Sequence, residues 1–158
     1  MSIWGDTDSD EVPDNPFHVA ENTYKCMVVE CYEQEKDGVS SLIIKWQIDE
    51  PDSQYNELPV TEKHTLFKKS VSDMTAKEVQ RTSFTKKRIR EAFDLTPHEV
   101  KNFTPKMALG KYAFVHIVNT PDKSDPTVMY NNVRSALSPR LMAEQNSDSN
   151  TTSDLLDV

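Results

Sequence analysis

The chain has 158 residues, a hydrophobic content of 36% and a formal net charge of −8, which suits one domain with a modest core. Its apolar runs are far shorter than the roughly 18 residues that a membrane span needs, and its three glycines, at positions 5, 38 and 110, are too far apart for a P-loop or a dinucleotide fingerprint. The first residues lack the basic and apolar regions of a signal peptide, so we expect a cytoplasmic protein.

The net charge conceals an uneven distribution along the chain. The first 22 residues contain six acids and the last 18 contain four, and neither end contains Lys or Arg. Removing these ten acids from the 26 leaves 16 acids against 18 basic residues, so the middle is near neutral to basic. Both ends are poor in apolar residues. We predict disordered acidic termini at residues 1–21 and 141–158, around one domain at residues 22–140.

Three strands are predicted in the first half of that domain. Residues 23–33 are rich in β-branched and aromatic side chains, and the Asp-Gly pair at 37–38 predicts a tight turn. A second strand is predicted at 41–49, where apolar side chains alternate and Trp46 is assigned to the core. After a polar loop, residues 62–69 predict the third strand.

The pattern then becomes helical. Ser72 or Asp73 is placed to cap a short helix that ends near Arg81, and Thr85 is placed to cap a second helix. Residues 96–99 (Thr-Pro-His-Glu) form a capping box with proline at the first helical position, which predicts a third helix start.

Two more strands are predicted at 111–119 and 127–136. The order is therefore three strands, a helical segment and two strands. It favours a mainly β fold, namely a five-stranded OB-like barrel with a helical insertion between strands three and four. An antiparallel sheet with helices on one side is the alternative.

The cysteines and histidines indicate no catalytic or metal chemistry. Cys26 and Cys31 are five residues apart on one predicted strand, so we expect them to point to opposite faces as two buried, reduced thiols. The four histidines have no zinc-binding spacing. We predict no metal, no cofactor and no enzyme activity.

Residues 61–90 carry nine basic residues against three acids, a charge of +6. The densest part, 86–90, is predicted in the first turns of a helix, where cations oppose the helix dipole and where a phosphate would be attracted. An ordinary solvated basic face is the alternative. The candidate phosphate contacts are Lys63, Lys69, Lys86, Lys87, Arg88 and Arg90, with Lys45 and Gln47 placed to follow a nucleic-acid backbone.

Aromatic side chains lie among these cations. Phe67 shares its predicted strand face with Lys63 and Lys69, and Tyr130 lies among polar neighbours. Because single-strand binders combine a basic groove with rings on which bases stack, Phe67 and Tyr130 are the stacking candidates. Packing in the core is the alternative for each ring.

The C-terminus places an apolar pair between acids. These residues are Asp154, Leu155, Leu156, Asp157 and Val158. Such a segment could dock in a basic-rimmed apolar pocket of a partner protein, and an unstructured end is the alternative.

Several short segments carry a resemblance to a known family. They are residues 23–25 (Thr-Tyr-Lys), 42–48 (Leu-Ile-Ile-Lys-Trp-Gln-Ile), 93–95 (Phe-Asp-Leu), 109–111 (Leu-Gly-Lys) and 131–133 (Asn-Asn-Val). With them the body resembles phage-encoded, OB-like proteins suspected of binding single-stranded DNA and often encoded among replication and recombination genes. The acidic tail resembles those of single-strand-binding proteins, which recruit partners and compete with DNA, although it ends in Asp-Val rather than a Pro-Phe type tip.

Two functions are therefore carried forward. The first is a single-stranded-DNA-binding protein that supports phage DNA replication or recombination, with a tail for recruiting replication or recombination proteins or for competing with DNA. The second is a protein-interaction module, an adaptor or inhibitor of a host or recombination protein that does not bind nucleic acid. The sequence leaves open whether the chain forms a homo-oligomer and whether it prefers DNA or RNA.

Overall fold

The computed structural model describes residues 18–146, so most of the predicted N-terminal arm and residues 147–158 of the predicted tail lie outside the described part. Five strands form one antiparallel sheet in the spatial order β3-β2-β1-β4-β5. They are β1 (Asn22–Lys36), β2 (Val39–Ile48), β3 (Pro59–Leu66), β4 (Tyr112–Pro121) and β5 (Met129–Leu137). The predicted mainly β class is confirmed.

The turn between β1 and β2 follows from its sequence. Lys36 pairs with Val39, so Asp37 and Gly38 alone make the connection. Both have positive φ, 54° and 77°, which an Asp-Gly pair adopts at little cost. This predicted turn is confirmed, and it allows the long strand β1 to pair with β2 on one side and β4 on the other.

Within residues 18–146, three helices accompany the sheet. They are α1 (Ala76–Phe93), α2 (Pro97–Lys101) and α3 (139–146), with 3₁₀ turns at Val71–Asp73 and Pro105–Ala108. The predicted capping box of α2 is confirmed, because the Thr96 hydroxyl accepts from the Glu99 backbone N–H and the Glu99 carboxylate accepts from that of Thr96.

The prediction of two helices between residues 72 and 93 is wrong. Thr75 caps a single 18-residue helix through a capping box with Glu78. Thr82 and Thr85 do not interrupt it, because their hydroxyls donate to backbone carbonyl oxygens four residues earlier, over 2.8 and 3.0 Å. Residues 86–90 therefore lie in the second half of α1, towards the end where the helix dipole stabilises cations. They do not surround a helix N-terminus that could attract a phosphate.

The predicted limits of the two termini also differ from the structure. Residues 141–146, assigned to the tail, belong to α3. Residues 18–21, assigned to the arm, are packed against the body: Val19 is in the core and the Glu21 carboxylate accepts from the Asn119 backbone N–H over 2.8 Å.

The two cysteines lie in the same core, not on opposite faces. A β-bulge between Val28 and Glu30 adds one residue to β1 and changes which face the later residues occupy. Cys26 and Cys31 are thus both buried free thiols, as expected from their residue type. Burial raises their thiol pKa values to about 12 and about 11.

The core lies between one face of the sheet and α1. Trp46 is fully buried, as predicted, and its ring stacks on Phe93 of α1 with centroids 5.8 Å apart. Phe93 stacks in turn on Phe103, at 6.1 Å. The edge strands β3 and β5 approach each other near α1, which places that helix beside both edges of the sheet.

Candidate functional site

A buried carboxylate lies where α1 meets the sheet. Glu62, on β3, is 5% exposed. It accepts hydrogen bonds from the Trp46 indole N–H over 3.0 Å, from His64 Nε2 over 2.6 Å, and from the Arg88 guanidinium of α1. Burial raises the pKa of Glu62, but the bond from His64, the charge of Arg88 and the bond from Trp46 outweigh it, so the pKa lies below its ordinary value.

Arg88 joins the two edges of the sheet. It is 6% exposed, and while Nη1 donates to Glu62 on β3, Nη2 donates to the Arg134 carbonyl oxygen on β5 over 2.7 Å. Its charge and donors are therefore used inside the protein. We withdraw Arg88 from the predicted phosphate contacts for this reason, since a buried, paired guanidinium does not face a ligand from solvent.

Three adjoining clefts follow α1 along the side that faces the edge strands. The first, about 660 Å³, lies between β3 and α1 and is lined by Lys63, Arg81 and Phe84. The second, about 200 Å³, lies between α1 and β5 and shares Phe84 with the first. The third, about 850 Å³, extends to β4 and α3 and shares Lys87 with the second. We call these three clefts the α1 groove.

The α1 groove is predominantly basic. Seven Lys and Arg side chains line it, against the acids Glu91 and Asp94. Of the exposed cations that line the groove, four make no ion pair with any described residue: Lys63, Arg81, Arg90 and Arg134. Lys87 is also exposed, and its Nζ is 3.9 Å from Glu91, a weak contact. The groove therefore offers charges that an anionic ligand could neutralise.

Phe84 was not among the site residues predicted from the sequence. Its side chain is 54% exposed, and it lies at the boundary of the first two clefts. The prediction that a new helix starts at Thr85 placed Phe84 in a connection. Had α1 been predicted as one helix from Thr75, Phe84 would have fallen outside the buried stripe that includes Thr85, Ile89 and Ala92.

The groove brings together only some of the predicted residues. Lys63, Lys87 and Arg90 line it, joined by Arg81 and Arg134, which were not predicted. The exposed cation Lys86 is on α1 but does not line these clefts.

Lys45 and Gln47 are on β2, away from the groove. The Lys45 Nζ is 3.0 Å from a Glu30 carboxylate oxygen and lies over the Tyr32 ring, while the Gln47 amide donates to the Glu57 carbonyl oxygen over 3.3 Å. The bond from Lys45 to Glu30 raises the pKa of Lys45.

Phe67 and Lys69 lie in a different cleft at the end of β3, which is lined by three acids and two cations. Phe67 is half-buried there, and Lys69 pairs with Glu78 over 2.9 Å. Tyr130 is 49% exposed on β5, and its hydroxyl donates to Asp122 over 2.6 Å. This hydrogen bond is the largest of the effects that lower the pKa of Asp122 to about 2. Neither Phe67 nor Tyr130 lines the α1 groove, so neither ring is retained as a stacking candidate for a strand bound there.

The predicted partner segment Asp154–Val158 lies outside the described residues. Within residues 18–146, His, Cys, Asp and Glu side chains form no group of three or more that could hold a metal ion. None of the helices in this described part is both long and apolar enough to cross a membrane. No protein-family model matches the chain, and no curated protein matches it either.

Proposed function

We propose that the chain is a non-enzymatic single-stranded-DNA-binding protein with an OB-like barrel body. It would act in the cytoplasm on DNA intermediates of phage replication or recombination, as the resemblance of its short segments implies. The α1 groove would hold the strand. Single-strand binders use a positively charged groove that follows the backbone, together with rings that stack on bases.

The strand arrangement supports an OB-like body. Its sheet order, β3-β2-β1-β4-β5, leaves β3 and β5 as edges, and these edges approach each other. The helices α1 and α2 come between β3 and β4 in the chain. A five-stranded, partly open barrel of the OB type has this order of elements.

The observation that carries the proposal is the charge of the α1 groove. Lys63, Arg81, Arg90 and Arg134 are exposed and make no ion pair within the described residues, although the whole chain is acidic. Exposed cations elsewhere in the described residues, such as Lys36 and Lys106, are unpaired too, so the support comes from the gathering of these four in one groove. A phosphate backbone accounts for this arrangement.

The test is fluorescence anisotropy of a labelled oligo-dT across a series of salt concentrations. We expect binding whose affinity falls steeply as salt rises, because each phosphate that is neutralised releases counterions. An absence of binding at low salt, or an affinity that ignores salt, would overturn the proposal.

A protein-interaction module is the second candidate. The third cleft combines the apolar side chains of Leu137, Leu141 and Met142 with the cations Lys87 and Arg90, a character suited to an acidic, apolar peptide. A pull-down with and without nuclease separates the two functions. Partners that remain after nuclease treatment favour the module, and partners that disappear favour binding through DNA.

A further inference from the structure

Phe84 occupies an unusual position for a large apolar side chain. It projects from α1 between the first two clefts of the groove, and 54% of it is exposed, whereas Thr85, Ile89 and Ala92 of the same helix are buried. A helix face turned to solvent ordinarily carries polar residues. The exposed ring therefore suggests a ligand that covers it.

The ring is held from within the protein. The Arg88 guanidinium lies over the ring, 5.3 Å from its centroid, and the His64 ring lies 6.2 Å away at a tilt of 46°. Arg88 is itself fixed by Glu62 on β3 and by the Arg134 carbonyl oxygen on β5. A ring backed by a buried, hydrogen-bonded group is preorganised, so little conformational freedom has to be given up when a flat ligand stacks on its exposed part.

Cations flank the ring on both sides. Lys63 and Arg81 line the cleft on the β3 side of Phe84, and Lys87 and Arg134 line the cleft on the β5 side. A nucleotide in a single strand has this pattern of groups, because each flat base lies between two phosphates. Double-stranded DNA does not fit, since its bases are stacked on one another and their faces are closed.

We propose that Phe84 is the stacking platform for one unpaired base of a single strand that crosses α1 from the β3 edge to the β5 edge. Lys63 and Arg81 hold the phosphate on one side of that base, and Lys87 and Arg134 hold the phosphate on the other. The inference rests on the proposed function and assigns its base-binding position.

The test compares Phe84→Leu with Tyr130→Leu in anisotropy titrations of labelled oligo-dT at several salt concentrations. Tyr130 is a matched control because its ring is 49% exposed and does not line the α1 groove. We expect Phe84→Leu to weaken binding about 5- to 150-fold at every salt concentration, because stacking contributes about 1–3 kcal/mol per base and is not screened. Tyr130→Leu should bind oligo-dT with the affinity of the parent. Phe84→Trp, which keeps an aromatic ring at this position, should also retain the parental affinity.

Each outcome separates the two proposals. If the parent does not bind oligo-dT, the proposed function fails. If the parent binds with a steep salt dependence but Phe84→Leu binds equally well, the stacking platform is wrong and the proposed function stands. If Phe84→Leu lowers the affinity for an acidic peptide but not for oligo-dT, the ring serves a protein partner and the platform is again wrong. Urea unfolding of each variant shows that the fold is retained.

Discussion

Glu62 shows how a single side chain can organise both the core and the groove. Its carboxylate receives donors from β2, from its own strand β3 and from α1, and through Arg88 it also supports the Phe84 ring. In the sequence, Glu62 is one of three acids within the basic stretch at residues 61–90. Its burial could not be predicted from alternation along β3, because the partner that makes burial tolerable is 26 residues away on a helix.

Replacing Glu62 should destabilise the fold. Glu62→Gln leaves Arg88 buried without its counter-charge, and breaking one member of a buried ion pair costs about 3–5 kcal/mol. We expect a loss of this size in the free energy of unfolding, measured by urea denaturation with tryptophan fluorescence. Glu35→Gln, at an exposed site without an ion pair in the described residues, is the control. A change below about 0.5 kcal/mol for Glu62→Gln would contradict this prediction.

The same residue makes stability depend on pH. The pKa of Glu62 is lower in the folded chain than its ordinary value, so the stabilisation is complete above the unfolded pKa, near 4.3, and is lost as pH falls through the folded pKa. The difference in unfolding free energy between the parent and Glu62→Gln should therefore be larger at about pH 7 than at about pH 3. Urea denaturation at both pH values measures it, and a difference that grows on acidification would show the sign to be wrong.

At the scale of elements, a turn and a helix start that are encoded by neighbouring residues were predicted correctly. The bulge in β1 and the continuity of α1 were not. The Asp-Gly turn and the capping box at Thr96 are read from neighbouring residues, and both are confirmed. The bulge near Val28 in β1 leaves no comparable local signal, because it depends on pairing with β2. The continuity of α1 through Thr85 depends on a buried threonine side chain that bonds within the helix.

The length of α1 gives a direct prediction about its cap. Thr75→Ala removes the hydroxyl that accepts from the Glu78 N–H, and loss of an N-cap costs about 1 kcal/mol. We expect a decrease of that size in unfolding free energy, measured by urea denaturation. Ser83→Ala, at an exposed position inside the helix, should leave stability unchanged or slightly increased. Equal stabilities for Thr75→Ala and the parent would indicate that Thr75 does not cap α1.

At the scale of the whole molecule, the separation of charge could be predicted from the sequence, but the position of the α1 groove could not. The concentration of cations between residues 61 and 90 is plain in the sequence. Which of them face one groove depends on how α1 packs between the edge strands. That packing buries Arg88, separates Lys69 from Lys87, and adds Arg134 from β5, which lies far away in the chain.

The acidic C-terminal segment, residues 147–158, is expected to compete with DNA for the α1 groove. Deleting residues 147–158 removes three acids and no cation, and it leaves α3 intact. If the segment competes with DNA, the deletion should tighten binding to oligo-dT at low salt, and the difference should shrink as salt screens the attraction. Anisotropy of the two forms measures this effect. An unchanged affinity would exclude competition and leave partner recruitment through Asp154–Val158 as the remaining prediction for the tail.

The most direct test of the α1 groove is the salt dependence of oligo-dT binding in two double variants of equal charge. Lys63→Ala with Lys87→Ala removes two cations of the groove, whereas Lys36→Ala with Lys106→Ala removes two exposed cations elsewhere. The groove variant should bind more weakly, and its slope of log affinity against log salt should become shallower by about 0.7 for each phosphate that the variant no longer neutralises, while the control keeps the parental slope. Equal slopes for the groove variant, the control and the parent would contradict a single strand bound along α1.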